Sequence, residues 1–180
     1  MNAKKSRPTN SNQTDIIKLL LEDHVPLKKL VKFLKNPHLK ISEKRPSFEK
    51  FATQLLTHAK SEEQSLYSRL QGCRAELRVE GFEGLTEHAI AENLIEEIRV
   101  TTDKNEWLGK VKVLAEIVEH HLLEEESTMF RTAKREFSQE MRNKIGDMYL
   151  KQKEEYEEYL KSFRKRAKMQ KPTYELESTL

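Results

Sequence analysis

The sequence has few cysteines, glycines and prolines, with one, five and five of them among 180 residues. A single thiol, Cys73, cannot form a disulfide within the chain, which is typical of a reducing compartment. No run of apolar residues is long enough to span a membrane, and the opening MNAKKSRPTNSNQ lacks the apolar segment of a secretion signal. We therefore expect a cytoplasmic protein without a membrane segment.

A large excess of charge of one sign is also missing. The 33 Lys and Arg nearly balance the 30 Asp and Glu, and the net charge of +3 does not favour nucleic-acid binding. The chain is 36% hydrophobic and 35% charged, a composition typical of helices with charged outer faces. We predict an all-α protein.

The sequence does contain a repeated stretch of ten residues. HAKSEEQSLY, from His58 to Tyr67, returns in outline as HLLEEESTMF, from His121 to Phe130. In each copy a glutamate, Glu62 or Glu125, follows the histidine by four residues. Residues four apart lie on the same face of a helix, so each copy presents an imidazole beside a carboxylate.

Apolar residues recur at steps of three and four along four segments, which predicts four amphipathic helices. Short links between them indicate an antiparallel four-helix bundle. We expect the second helix to begin near Ser47 and to be broken from the third by Gly81 and Gly84. The third helix is then predicted from Leu85 to Val100.

Composition predicts where the bundle begins and ends and what flanks it. We expect residues 1–13 to be a disordered N-terminus, residues 14–150 to form the bundle, residues 151–171 to form an additional charged C-terminal helix, and residues 172–180 to be a tail. The C-terminal helix packs against the bundle, a second copy of the chain or another protein partner. Its basic end is either a solvated helix terminus or a contact for an anionic surface.

Each predicted helix carries a line of apolar residues, here called its seam, and polar side chains interrupt all four seams. A buried carboxylate without a partner costs several kcal/mol or is neutralised by a shift of its pKa. Divalent cations remove this difficulty, and a set of nitrogen and oxygen donors this large suits two bridged six-coordinate ions, with iron favoured and manganese or zinc as substitutes. A single such histidine is commonly a core residue, but agreement among four seams favours a metal site. The candidate ligands are His24, His58, Glu62, His88, Glu92, His121 and Glu125.

Four short motifs on these seams resemble the hemerythrin-like HHE cation-binding domain. They are LLLEDH around His24, HAKSEE around His58, TEHAIAE around His88 and HLLEEE around His121. The resemblance covers roughly residues 14–149 and implies an up-down-up-down bundle with a non-haem di-iron centre. It implies that the four histidines are terminal ligands, and that Glu62 and Glu125 bridge the two ions.

Position 92 departs from the oxygen-carrying hemerythrins, in which the third helix supplies two histidines one turn apart. Glu92 is either a carboxylate ligand or a polar group at the edge of the pocket. A carboxylate ligand would favour the oxidised metal, so redox chemistry or sensing becomes more plausible than stable reversible oxygen binding.

Three functions are compatible with these residues, two of them implied by the resemblance and the regulatory one favoured by the extra segment from Ser138 to Lys171. The first is a metal-binding protein that binds, senses or reacts with a small ligand such as oxygen or nitric oxide. The second is a regulatory protein whose C-terminal helix responds to the metal or redox state. The third is a protein that delivers iron or detoxifies nitric oxide or peroxide, although no motif for an organic substrate is present.

Six further polar residues lie near the candidate ligands in the sequence or are histidines outside the four seams. Four carboxylates are expected either to be exposed or to hold a ligand imidazole by its other nitrogen. His120 is expected to face solvent or to contact a ligand residue, and His38 is expected on a surface loop that could alternatively fold over and supply a fifth imidazole. The carboxylates are Asp23, Glu63, Glu87 and Glu126, and the histidines are His38 and His120.

Overall fold

A computed structural model of the protein describes residues 14–169, and every regular element in this range is helical. The predicted disordered N-terminus and the predicted tail lie outside the described residues. Helices α2 and α4 each contain one π-helical turn. The helices are α1 (Ile16–Lys35), α2 (Ile41–Glu62, π-helical Glu63–Tyr67 and Ser68–Leu70), α3 (Ala75–Val100), α4 (Lys104–Glu124, π-helical Glu125–Met129 and Phe130–Glu136) and α5 (Gln139–Met169).

Side chains cap several helix starts. Asp15 caps α1 by accepting a hydrogen bond from the backbone N–H of Ile17 at 3.0 Å. Asp103 caps α4 through its carboxylate. Ser138 caps α5 through its hydroxyl, so α5 begins as a separate helix after α4.

The predicted start of α2 near Ser47 is wrong, because the helix begins at Ile41. The carboxylate of Glu43 accepts a hydrogen bond from the backbone N–H of Lys40 at 2.9 Å, and this contact closes the first turn. Pro46 is accommodated inside the helix. The loop between α1 and α2 is therefore shorter than the sequence indicates.

The predicted helix breaks at Gly81 and Gly84 are also wrong, because both glycines lie inside α3. A Cβ at Gly84 would overlap the hydroxyl of Tyr67, and a Cβ at Gly81 would lie 3.2 Å from Cβ of Leu70. The two glycines therefore allow α3 to approach α2 closely. The chain turns at residues 71–74 instead.

The apolar core consists of two clusters, and the polar residues of the seams lie between them. The two clusters lie at opposite ends of helices α1 to α4. Helices α1 and α3 begin at the second cluster and end at the first, whereas α2 and α4 begin at the first cluster and end at the second. The first cluster includes Leu27, Phe48, Ile95 and Trp107, and the second includes Leu20, Leu66, Leu77 and Met129.

Helix α5 packs against α1 and α2. Its side chains Ile145 and Tyr149 are buried in the second cluster, and a Cβ at Gly146 would overlap the carbonyl oxygen of Thr14. The helix continues past residue 150 without a break, and the division of the chain into domains there stays a prediction. None of the described helices combines the length and the apolar character needed to cross a membrane.

Candidate metal centre

The structure brings six of the seven candidate ligands together between the two apolar clusters. Their exposed fractions are all 4% or less. They form two groups, and within each group the ligand atoms lie within 4.8 Å of one another. The first group is His24, His58 and Glu125, and the second is Glu62, His88 and His121.

The carboxylate of Glu125 faces both groups. Its Oε2 lies 3.2 Å from Nε2 of His24, and its Oε1 lies 3.5 Å from Nε2 of His121. Glu62 does the same from α2, because its Oε2 lies 3.6 Å from Nε2 of His58 and 3.8 Å from Nε2 of His88. All four Nε2 atoms therefore point toward two carboxylates that lie between them.

The other nitrogen of three imidazoles faces a carboxylate. Such a partner favours a proton on Nδ1 and leaves the lone pair of Nε2 free to bind a metal. The Nδ1 contacts are His24 with Glu126 at 2.8 Å, His121 with Glu87 at 2.8 Å, and His88 with Glu63 at 3.3 Å. These are the contacts expected of the three glutamates, and those of Glu126 and Glu87 are hydrogen bonds.

The fourth imidazole, that of His58, is held through Tyr149 of α5. Nδ1 of His58 lies 3.1 Å from the hydroxyl of Tyr149, and this hydroxyl donates to Oδ2 of Asp23 at 2.5 Å. A phenol has one proton to give, so it accepts from the N–H of His58. Lys153 also donates to Asp23, at 2.6 Å from Oδ1. The role predicted for Asp23 is thus shared with Tyr149, which is not among the candidate site residues of the sequence.

Two aromatic rings cover histidines at equivalent places in the repeat. Tyr67 stacks on His88 with ring centroids 5.3 Å apart, and Phe130 stacks on His24 with centroids 5.6 Å apart. The tyrosine has a further role, because its hydroxyl donates to Oε1 of Glu125 at 2.5 Å. Sequence reasoning missed this role, since Tyr67 occupies an apolar position of the repeat.

The site is built twice, once from α1 with α2 and once from α3 with α4. In each half, the carboxylate that precedes one histidine contacts the histidine of the next helix. Asp23, before His24, contacts His58, and Glu87, before His88, contacts His121. The π-helical turns also correspond, since each begins within one residue of the buried glutamate. Turns of this kind occur frequently at functional sites.

Burial sets the charge state of several groups. It lowers the pKa of His58 to about 4, so this imidazole is neutral at pH 7. Burial also lowers the pKa of His88. Burial, followed by the neighbouring carboxylate of Glu125, raises the pKa of Glu62 well above its ordinary value. For Glu125 burial acts in the same direction, but His121 and the other imidazoles outweigh it and lower the pKa.

The donor atoms fit a cation because protein groups leave several of them unpaired. Within the described residues, no hydrogen bond reaches Nε2 of His24, Nε2 of His58, Oε2 of Glu125 or either carboxylate oxygen of Glu62. Buried polar atoms are normally paired, and unpaired ones call for an explanation such as an ion. Nitrogen and oxygen donors in this mixture suit iron, manganese or zinc.

Glu92 is the candidate ligand that the structure does not bring to the others. Its side chain is 41% exposed, and its carboxylate lies 2.7 Å from Nζ of Lys60. It belongs to neither buried group. His38 and His120 are exposed, as predicted, and His120 pairs with Glu124 at 3.2 Å.

Comparison with protein families gives one match. The profile of the hemerythrin HHE cation binding domain matches residues 15–133. Comparison with curated proteins and with solved structures finds no match. The matched span runs from the cap of α1 to the last part of α4, so it contains all six buried residues and leaves α5 outside.

Proposed function

This chain belongs to the hemerythrin HHE cation-binding domain family, and from that premise we propose that its buried site binds two iron ions, with manganese or zinc as substitutes. The observation that carries the proposal is the set of buried nitrogen and oxygen atoms that face one another without hydrogen-bond partners. Metal ions would neutralise the two carboxylates and accept the imidazole lone pairs.

The number of ions rests on the two groups of ligands. One ion would be held by His24 and His58, the other by His88 and His121. Glu62 and Glu125 would bridge the ions, which is supported by the approach of each carboxylate to a histidine of both groups. We leave Glu92 outside the ligand set, because Lys60 already neutralises its exposed carboxylate.

The bundle that holds these ligands is proposed to be antiparallel, with up-down-up-down topology. The support is the order in which successive helices pass the two apolar clusters, which alternates from α1 to α4. In such a bundle, ligands from all four helices meet at the same level.

We propose that the centre binds or reacts with a small ligand such as oxygen, nitric oxide or peroxide. Bound iron would supply electrons and Lewis acidity to this ligand. The protein's own contribution is orientation and exclusion of water. Asp23, Glu63, Glu87, Glu126 and Tyr149 hold the imidazoles in place, and the apolar clusters close the site on both sides.

Metal analysis of the purified protein tests this function. We expect about two iron ions per chain after anaerobic loading, and an optical spectrum that changes when air is admitted. His58→Ala should lose most of the metal, whereas His120→Ala, which removes an exposed imidazole beside His121, should retain it. Less than one metal per chain in the wild type, together with no loss in His58→Ala, would contradict the proposal.

A second candidate function, regulation through α5, is favoured by one contact. Tyr149 and Lys153 of α5 both bind Asp23, and Tyr149 also contacts the ligand His58. A change at the metal site can therefore alter how firmly α5 is held, and α5 could pass this change to a second copy or another protein. Hydrogen exchange of α5 should then differ among the metal-free, reduced and oxidised forms. Equal protection in all three forms would exclude such a switch.

A further inference from the structure

The two ends of the metal site differ in what lies outside them. At the end formed by Asp23 and His58, the adjoining cavity is partly walled by side chains of α5, among them Lys153 and Lys161. Outside the equivalent pair, Glu87 and His121, there is a cavity of about 170 Å³. All the residues that line it belong to α3 and α4, so α5 breaks the internal symmetry of the molecule.

The wall of this cavity is strongly acidic. Glu80, Glu83, Glu87 and Glu124 line it, and no Lys or Arg is among the lining residues of the described chain. The larger cavity on the α5 side, of about 300 Å³, is lined by lysines as well as by carboxylates. Clefts lined by one sign of charge concentrate ions of the opposite sign. The acidic cavity therefore attracts cations and repels anions.

The acidic cavity extends to the metal site itself. His121 and Glu125 line it, and Glu125 is 1% exposed with an Oε2 atom that accepts no hydrogen bond. Beside the cavity, Glu87, His120 and Glu124 offer ligand atoms within 4.8 Å of one another. A series of ligand atoms thus connects the surface with a buried carboxylate, one oxygen of which accepts no hydrogen bond.

We propose that this cavity is where a hydrated divalent cation first binds before it passes to His121 and Glu125. The inference rests on the proposed function, since the path has a use only if the buried site takes up metal. Carboxylates at partly exposed positions can hold a cation weakly through its water ligands. Burial, with repulsion from Glu76 and Glu83, raises the pKa of Glu80, and a cation would relieve that repulsion.

The rate of metal uptake tests the proposal without relying on any activity of the loaded protein. The metal-free full chain is mixed anaerobically with Fe²⁺, excess chelator stops the reaction, and protein-bound iron is measured against time. The test variant is Glu80→Gln with Glu83→Gln. The matched control is Glu154→Gln with Glu158→Gln, which removes the same charge from exposed positions of α5.

We expect the cavity variant to take up iron about three- to tenfold more slowly than the wild type at low ionic strength, because steering by charge is lost. Its final iron content should equal that of the wild type. The control should load at the wild-type rate. The difference should shrink in about 1 M salt, where the screening length falls to roughly 3 Å.

Charge reversal gives a second measurement. Glu83 is exposed, so Glu83→Lys should fold normally and should slow uptake further. Equal uptake rates in the cavity and control variants, or a wild-type rate in Glu83→Lys, would overturn the proposed path. Failure of the wild type itself to bind iron would overturn the proposed function, so the two failures are distinguishable.

Discussion

Nε2 of His88 lies 3.0 Å from Nε2 of His121. A hydrogen bond at this distance needs a proton on one of the two nitrogens. Nδ1 of each ring already faces a carboxylate, which favours a proton there. Burial acts to lower the pKa of His121, but Glu125 and Glu87 outweigh it and raise the pKa. A proton shared between these two Nε2 atoms would have to leave before a cation could bind both of them.

Metal binding should accordingly release protons. Both His121 and Glu62 have raised pKa values, so both carry a proton below those values and must lose it to bind a cation. His58, with a pKa of about 4, has none to lose at neutral pH. We expect metal affinity to rise by about ten- to a hundredfold per pH unit while these protons are present. Competition titrations with Zn²⁺ between pH 5.5 and 8 measure this, and a pH-independent affinity would contradict it.

Glu62→Gln should stabilise the metal-free protein and weaken metal binding. The pKa of Glu62 is raised in the folded state, so its stability contribution is present at low pH and is lost as the pH rises through the folded value. Glutamine stays neutral, so we expect a gain of about 1–3 kcal/mol in the free energy of unfolding at pH 8. Urea unfolding of the metal-free variants measures it.

Glu63→Gln is the matched control for this substitution. Hydrogen bonding to His88 and the charge of Lys60 outweigh burial and lower the pKa of Glu63, so its carboxylate stabilises the folded state at neutral pH. We expect the control variant to be less stable than the wild type. If Glu62→Gln were destabilised equally, the carboxylate of Glu62 would not be an unpaired buried charge.

The sequence predicted the burial of six candidate ligands because each interrupts an apolar seam, and seam position determines burial in a helical bundle. Glu92 satisfied the same rule, yet its side chain is 41% exposed and pairs with Lys60 of α2. That contact joins distant parts of the chain, so spacing along α3 could not indicate it. The rule therefore selects candidates for burial, but it cannot show which candidate a residue of another helix binds nearer the surface.

The roles of some residues could not be predicted from the sequence, because they depend on partners far along the chain or on the packing of neighbouring helices. Tyr149 contacts His58 across 91 positions, and a tyrosine on an apolar seam looks like an ordinary core residue. Gly81 and Gly84 carry no sign that a neighbouring helix needs their space, so they resembled helix breakers. The π-helical turns have no composition signal, although the repeat itself marks their position.

Tyr149→Phe should weaken both the fold and the metal site. The substitution removes the acceptor for the N–H of His58 and one donor to Asp23, while the ring still fills its place. We expect a loss of about 1–2 kcal/mol in the free energy of unfolding and about a tenfold loss of metal affinity. Tyr159→Phe on the exposed face of α5 is the control and should change neither. An unchanged affinity in Tyr149→Phe would show that His58 does not need this support.

Replacement of two helical glycines by alanine should have opposite effects on stability. Beyond its own turn of α4, no atom of the described residues lies within 4 Å of a Cβ added at Gly109, so Gly109→Ala should stabilise by about 0.5–1 kcal/mol through helix propensity. At Gly84 the added Cβ would overlap the hydroxyl of Tyr67 and lie 2.8 Å from its Cζ atom. Gly84→Ala should therefore destabilise by about 1–3 kcal/mol, as overpacking does.

The clash at Gly84 also reaches the metal site, because Tyr67 is both the donor to Glu125 and the ring stacked on His88. A Tyr67 ring that moves away from the new methyl group gives up both contacts, so Gly84→Ala should lower metal affinity and Gly109→Ala should not. Tyr67→Phe removes the atom that overlaps most. In a double-mutant cycle we therefore expect the stability loss of Gly84→Ala to be smaller in the Tyr67→Phe background. Additive losses would mean that Gly84 does not make room for the tyrosine hydroxyl.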